Sequence, residues 1–169
     1  MTRNDPALAE MVCLALVAEG PTHGWAISGL LAPDGEIGRI WSLSRPLTYR
    51  ALEQLVSDAQ ISKVGTAPGS GRSRTLLDVT DAGRQLLSEW LDAPVELPKD
   101  VRTELLLKFA CRRRAGRSLQ PLALRQREKF APLIDELAKV DASQFVGVWR
   151  REHLLAIDRF LEIVSLESS

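Results

Sequence analysis

The 169-residue sequence predicts a mainly α-helical chain in which one two-stranded hairpin interrupts a run of helices. Three observations carry this. Apolar residues recur at helical spacing both before residue 58 and after residue 80. Between those limits the period changes to alternation, with Ile61, Val64 and Thr66 on one side and Thr75, Leu77 and Val79 on the other. Pro68-Gly69-Ser70-Gly71 divides the two runs as a turn. Three helices, a hairpin and a further helix, in this order, are the layout of a winged helix-turn-helix.

The elements follow in sequence. Pro6 sits where a first helical turn tolerates proline, and Leu8, Met11, Val12, Ala15 and Leu16 keep helical spacing until Gly20-Pro21. Thr22 is placed to cap a second helix through Trp25, Ile27, Leu30 and Leu31. Gly35 and Gly38 weaken any helix there, so residues 35–42 read as a turn. Ser44 is the expected cap of a third helix with Pro46 in its first turn. Leu47, Ala51, Leu55 and Val56 form its apolar face, bordered by Leu52, with Thr48, Tyr49 and Glu53 on or near the other side. Thr80-Asp81 opens a fourth helix whose stripe is Leu86, Leu87, Trp90 and Leu91.

Residues 93–98, with two prolines, read as a linker, which divides the chain into an N-terminal unit over 1–92 and a helical unit over 99–169. A helix from Lys99 to Arg114 carries Val101, Leu105, Leu106, Phe109 and Ala110 and stops at Gly116. Leu119, Leu122, Gln126, Phe130, Leu133, Leu137 and Val140 then form a heptad-like stripe with one polar member, and Pro132 within it predicts a kink. The last helix shows Val146, Trp149, His153, Ala156, Phe160 and Ile163 at similar spacing, with Leu154, Ile157, Leu161 and Val164 alongside. Apolar faces this wide need cover beyond one chain, and a symmetric homodimer is the simplest expectation. Phe130, Trp149, His153 and Phe160 are the candidates for the dimer seam or an effector pocket. For Trp149 and His153 plain interface packing is the simpler reading.

Charge is balanced overall but not locally. Residues 1–92 hold 8 Lys/Arg against 11 Asp/Glu, yet residues 39–74 hold 6 basic and 2 acidic residues. A basic patch on an acidic unit is expected of a surface that docks on phosphates. A helix N-terminus fits the major groove and a hairpin tip reaches the neighbouring backbone. Arg45, Thr48, Tyr49 and Arg50 on the third helix, and Arg72 and Arg74 on the hairpin, are therefore candidate contacts to double-stranded DNA. Lys63 and His23 are weaker candidates, solvent decoration and an ordinary helix-start residue being equally good readings. The second basic run, 10 basic against 3 acidic residues over 99–129, reads mainly as solvated helix faces.

Other classes find little support. No apolar run of membrane-spanning length occurs, and the first six residues lack the order of a secretory signal. Cys13 and Cys111 are far apart in helical patterns and read as free thiols of a cytoplasmic protein. Two histidines give no metal spacing, and neither a phosphate-binding loop nor a nucleophile motif occurs, so neither metal, cofactor nor catalysis is expected. The remaining alternative to DNA binding is a winged helix used only for protein interaction.

Three blocks carry a family resemblance. Leu16-Val17-Ala18-Glu19-Gly20-Pro21-Thr22-His23-Gly24-Trp25-Ala26-Ile27 resembles the opening block of PadR-type transcriptional regulators, with Trp25 where Tyr is usual. Pro46 to Leu55 is similar to their recognition helix, and Leu76 to Arg84 to their wing strand and following helix start. Asp58-Ala59-Gln60-Ile61 lacks the glycine common at that turn, which predicts a looser turn, and residues 33–41 resemble the longer-loop members. The resemblance implies a dimeric repressor on a palindromic operator, often released by a small molecule, which in some members is hydrophobic or aromatic.

Overall fold

The computed structural model describes residues 8–68, 73–139 and 143–166. Pro6, the Gly69-Ser70-Gly71 turn, Arg72 and Val140 lie outside the described residues. The N-terminal elements are α1 (Leu8–Val17), α2 (Gly24–Leu30), α3 (Arg45–Ser57), β1 (Ile61–Ala67), β2 (Arg74–Val79) and α4 (Asp81–Asp92). They form a winged helix. β1 and β2 pair antiparallel from Ile61 opposite Val79 to Ala67 opposite Arg74, with a bulge between Lys63 and Gly65. Thr22 adds a short bridge to Leu77, which ties the start of α2 to the wing.

The core of this unit is built on α1, which is buried from Met11 to Val17 because α2, α3, α4 and β2 surround it. Ile27, Leu31, Ile37, Ala51, Leu52, Leu55, Ile61, Val79, Leu87 and Leu91 close over it. The turn between α2 and α3 is compact. The Ile37 and Gly38 amides both donate to Leu30 O, which seats the Ile37 side chain in the core. Thr80 caps α4 as expected, its Oγ1 accepting from the Gly83 amide at 3.1 Å. Gly83 is required where it stands, since a Cβ there would lie 2.0 Å from Gln60 O.

Three local expectations are corrected. The residue that caps α2 is His23, whose Nδ1 accepts from the Ala26 amide, because the backbone of Thr22 pairs with Leu77 and the helix begins one residue later. Ser44 occupies the N-cap position of α3 but its side chain makes no capping bond. The turn after α3 is tight without glycine. The Ala59 amide donates to Val56 O and the Gln60 amide to Leu55 O, closing the helix with Ala59 at φ 56°. An L-residue there carries the strain of the left-handed region. Ala59→Gly is therefore expected to stabilise the protein by about 0.5–1 kcal/mol, read as a higher urea midpoint at unchanged slope.

The C-terminal half begins with α5 (Pro98–Asp100), passes through a π-helical turn at Val101–Leu105 and continues as α6 (Leu106–Arg114), closed by Gly116 at φ 65°. The unbroken α-helix expected over 99–114 thus contains one wider turn. α7 (Gln120–Leu137) and α8 (Phe145–Leu166) pack along each other. α7 runs on past Pro132 to Leu137. A second core joins Leu105, Phe109, Leu122, Phe130, Leu154, Ile157, Leu161 and Val164. α6 serves both cores, since Leu107 and Cys111 belong to the first. Both cysteines are buried free thiols, and burial pushes each up to about 12, helped by Glu10 at Cys13 and Glu19 at Cys111.

The segment 93–98, read as a linker, is docked through Val95. Val95 is buried, its amide donates to Gln126 Oε1 at 2.7 Å and its carbonyl accepts from Gln126 Nε2 at 3.1 Å. The carbonyls that end α4 are taken by cations from the other half. Lys108 Nζ donates to Ala93 O at 2.8 Å, Arg112 Nη1 to Leu91 O at 3.1 Å and Arg125 Nε to Asp92 O at 3.2 Å. Lys108 is 2% exposed, pairs with Glu104 and lies over the Trp90 ring; Arg112 is 4% exposed. The second basic run is therefore in good part internal wiring, which the solvated-face reading missed.

Candidate nucleic-acid interface

Tyr49 with the C-terminal half of α3, the start of α2 and the wing strands frame one groove of about 610 Å³. Its floor holds Trp25, Tyr49, Leu52, Val56 and Leu77, and Lys63 and Arg74 stand at the wing side, with Glu53 as the acidic member. Arg45 and Arg50 are exposed on α3 and, like Lys63 and Arg74, make no ion pair among the described residues. The contrast with the C-terminal cations is electrostatic. Arg112, Arg117 and Arg125 share Asp92, Arg114 pairs with Glu19 and Glu36, and Arg127 pairs with Asp158 and Glu162. Neutralised cations give little attraction to phosphate, whereas the unpaired set around the groove keeps its field.

Thr48 leaves the list of candidate contacts. It is 0% exposed and its hydroxyl donates to Ser44 O at 3.1 Å, because α3 buries Thr48, Ala51, Leu52 and Leu55. Leu47, expected in the core, is correspondingly exposed beside Arg45. Tyr49 is partly exposed, with its ring against α2. A Cβ on Gly24 would come within 2.8 Å of the Tyr49 ring, so glycine lets α2 and α3 approach. His23 reaches the groove from the cap of α2, with Nε2 3.5 Å from Arg74 Nη1. Sequence reading missed Trp25, which is 52% exposed and has the Arg74 guanidinium 4.5 Å above its ring. The signal was present in a tryptophan two residues after the cap, off the apolar stripe of α2.

Of the C-terminal candidates, Phe130 is corrected. It is buried in this chain's own core, because α8 lays Leu154, Ile157 and Leu161 against α7. Phe160 packs edge-on to Phe109 at 6.1 Å. Trp149 is 64% exposed, and its ring stacks on His153 at 5.2 Å beside an apolar groove lined by Leu97, Leu133 and Leu137. Val146, Trp149, His153, Ala156 and Ile163 form a face of α8 that this chain leaves in solvent. Among the described residues, no cluster of three or more His, Cys, Asp or Glu is placed to hold a metal, and no helix is long and apolar enough to cross a membrane.

Fold and groove define a winged helix-turn-helix protein with a helical C-terminal extension, and about half of its sequence is similar to a PadR regulator. The curated relative is the "Negative transcriptional regulator PadR" of Bacillus subtilis (strain 168), 28% identical over 95 residues, which are 56% of this chain and 51% of that protein. The match thus spans about half the length of the relative. Among solved structures, Bacillus subtilis PadR in complex with operator DNA is 21% identical, with 92% of this chain and 97% of that chain covered at a TM-score of 0.49. The same protein in complex with p-coumaric acid is 19% identical over 98% of both chains, with a TM-score of 0.46. No family model matches the chain.

Proposed function

We propose that this chain is a sequence-specific DNA-binding transcriptional repressor that acts in the cytoplasm as a homodimer on a palindromic operator. The observation that carries the reading is the set of unpaired cations on α3 and the wing, with Arg45, Arg50 and Lys63 exposed and Arg74 half-buried at the groove. The N-terminal half of α3 enters the major groove and presents Arg45, Arg50 and Tyr49, while the wing follows the backbone. The similarity to a negative regulator supports repression as the outcome. The solvent-facing stripe of α8 provides the dimer seam, so the N-terminal unit reads DNA and the helical unit joins two copies. A small hydrophobic or aromatic effector would fit the groove beside the Trp149–His153 stack.

The test is a salt titration of duplex binding by fluorescence anisotropy. Affinity is expected to fall linearly in log–log form, and replacing Arg72 and Arg74 with Ala is expected to lower affinity for all sequences and reduce the slope by about two. Absence of duplex binding would favour a winged helix serving protein interaction alone, and unchanged affinity in the double variant would overturn the wing contacts.

A further inference from the structure

We propose that His23, Trp25 and Arg74 form a clamp for one phosphate of the DNA backbone, with Trp25 as the residue that positions the arginine; this rests on the DNA-binding reading above. The Ala26 amide donates to His23 Nδ1 at 3.1 Å. That bond occupies the Nδ1 lone pair, which assigns the proton of the neutral ring to Nε2. Nε2 lies 3.5 Å from Arg74 Nη1. Both atoms are then N–H donors, and neither satisfies the other. Two donors 3.5 Å apart at an open groove call for an acceptor with several lone pairs and negative charge to bridge them, which a phosphate oxygen supplies.

The third member holds the geometry. The Arg74 side chain is long and its guanidinium would otherwise sample many rotamers. Its Cζ sits 4.5 Å from the Trp25 ring centroid, so the indole face fixes one side of the fork while leaving its N–H edges free. Trp25 is itself 6.3 Å from the His23 ring, centroid to centroid. An indole more than half exposed contributes little to the core; a wall for an arginine accounts for its place. Lys63 lines the same groove and adds charge, and Glu53, lining the far side on α3, opposes it.

The experiment uses the full-length protein and a duplex selected by it from random-sequence DNA, in which single phosphates are replaced in turn by neutral methylphosphonates. In the wild type one position per half-site is expected to lower affinity about tenfold through this clamp, beside other sensitive positions. In Arg74→Ala that position becomes silent while the others remain. Trp25→Leu is expected to blunt it and Trp25→Phe to restore it. His23→Ser keeps a hydroxyl to cap α2 but removes Nε2–H, and is expected to blunt the same position. A pattern in Trp25→Leu identical to the wild type, or a full response at every position in Arg74→Ala, overturns the clamp. Failure of the wild type to select any duplex overturns the DNA reading and the clamp with it.

Discussion

Arg112→Ala is expected to destabilise the protein by about 3–5 kcal/mol, the range for breaking a buried charge network by removing one partner. The guanidinium donates to Ser118 O at 2.8 Å, Leu91 O at 3.1 Å and Asp92 Oδ1 at 2.6 Å. Alanine leaves buried carbonyls without donors, each costing about 1–3 kcal/mol, and opens a cavity between α4 and α6. Urea denaturation measures the change; a loss below about 1 kcal/mol would show that the carbonyls find other partners. The exposed Arg50→Ala serves as a contrast, expected within about 0.5 kcal/mol of wild type. The pH dependence has a definite sign. Burial works to raise the Asp92 carboxyl, but the bond from Arg112 and the charges of Arg117 and Arg112 outweigh it and hold the group below its ordinary value. A lowered folded-state pKa contributes stability above the unfolded value near about 3.9, and loses it as pH falls through the folded one. Arg112→Ala should therefore flatten the acid limb of the stability curve.

Charging the solvent-facing stripe of α8 is expected to have the largest effect on function. Trp149→Glu with Ile163→Glu should give a folded monomer by light scattering, with unchanged circular dichroism, since both side chains lie in solvent in the single chain. Operator affinity should fall about 100-fold or more, because two linked half-site contacts become one. A dimer of undiminished affinity would place the seam elsewhere. Substitution is a cleaner probe than removing residues 141–169, which would also strip Leu154, Ile157, Leu161 and Val164 from the second core.

The order of elements was legible because helical and alternating periods are local properties of the chain. The capping by Thr80, the stop at Gly116 and the alternation of Leu77 and Val79 act within a few residues of themselves. The misreadings involve partners distant in sequence. Counting apolar residues turned Leu47 inward, but α3 sits rotated, and Thr48 is buried cheaply because its hydroxyl finds Ser44 O. Lys108 and Arg112, four residues apart, look like a wet helix face until the carbonyl end of α4 is laid beside them. His23 and Arg74 are 51 residues apart, and no periodicity reveals that they meet. Phe130 had the spacing of a dimer seam, but the same spacing served α8 of its own chain.

The bond pair between Gln126 and Val95 fixes direction as well as position. One hydrogen bond would act as a swivel; two, one given and one received on the same residue, hold both peptide planes flanking Val95 against rotation. A glutamate or leucine of similar size could supply only one of them or neither. The surface proposed to read DNA is thereby keyed to α7 like a blade set in a handle. In a pair of chains joined along α8, the angle between the two blades is then set by how the handles cross, and a few degrees of change there would swing both reading helices out of phase with the turn of the double helix.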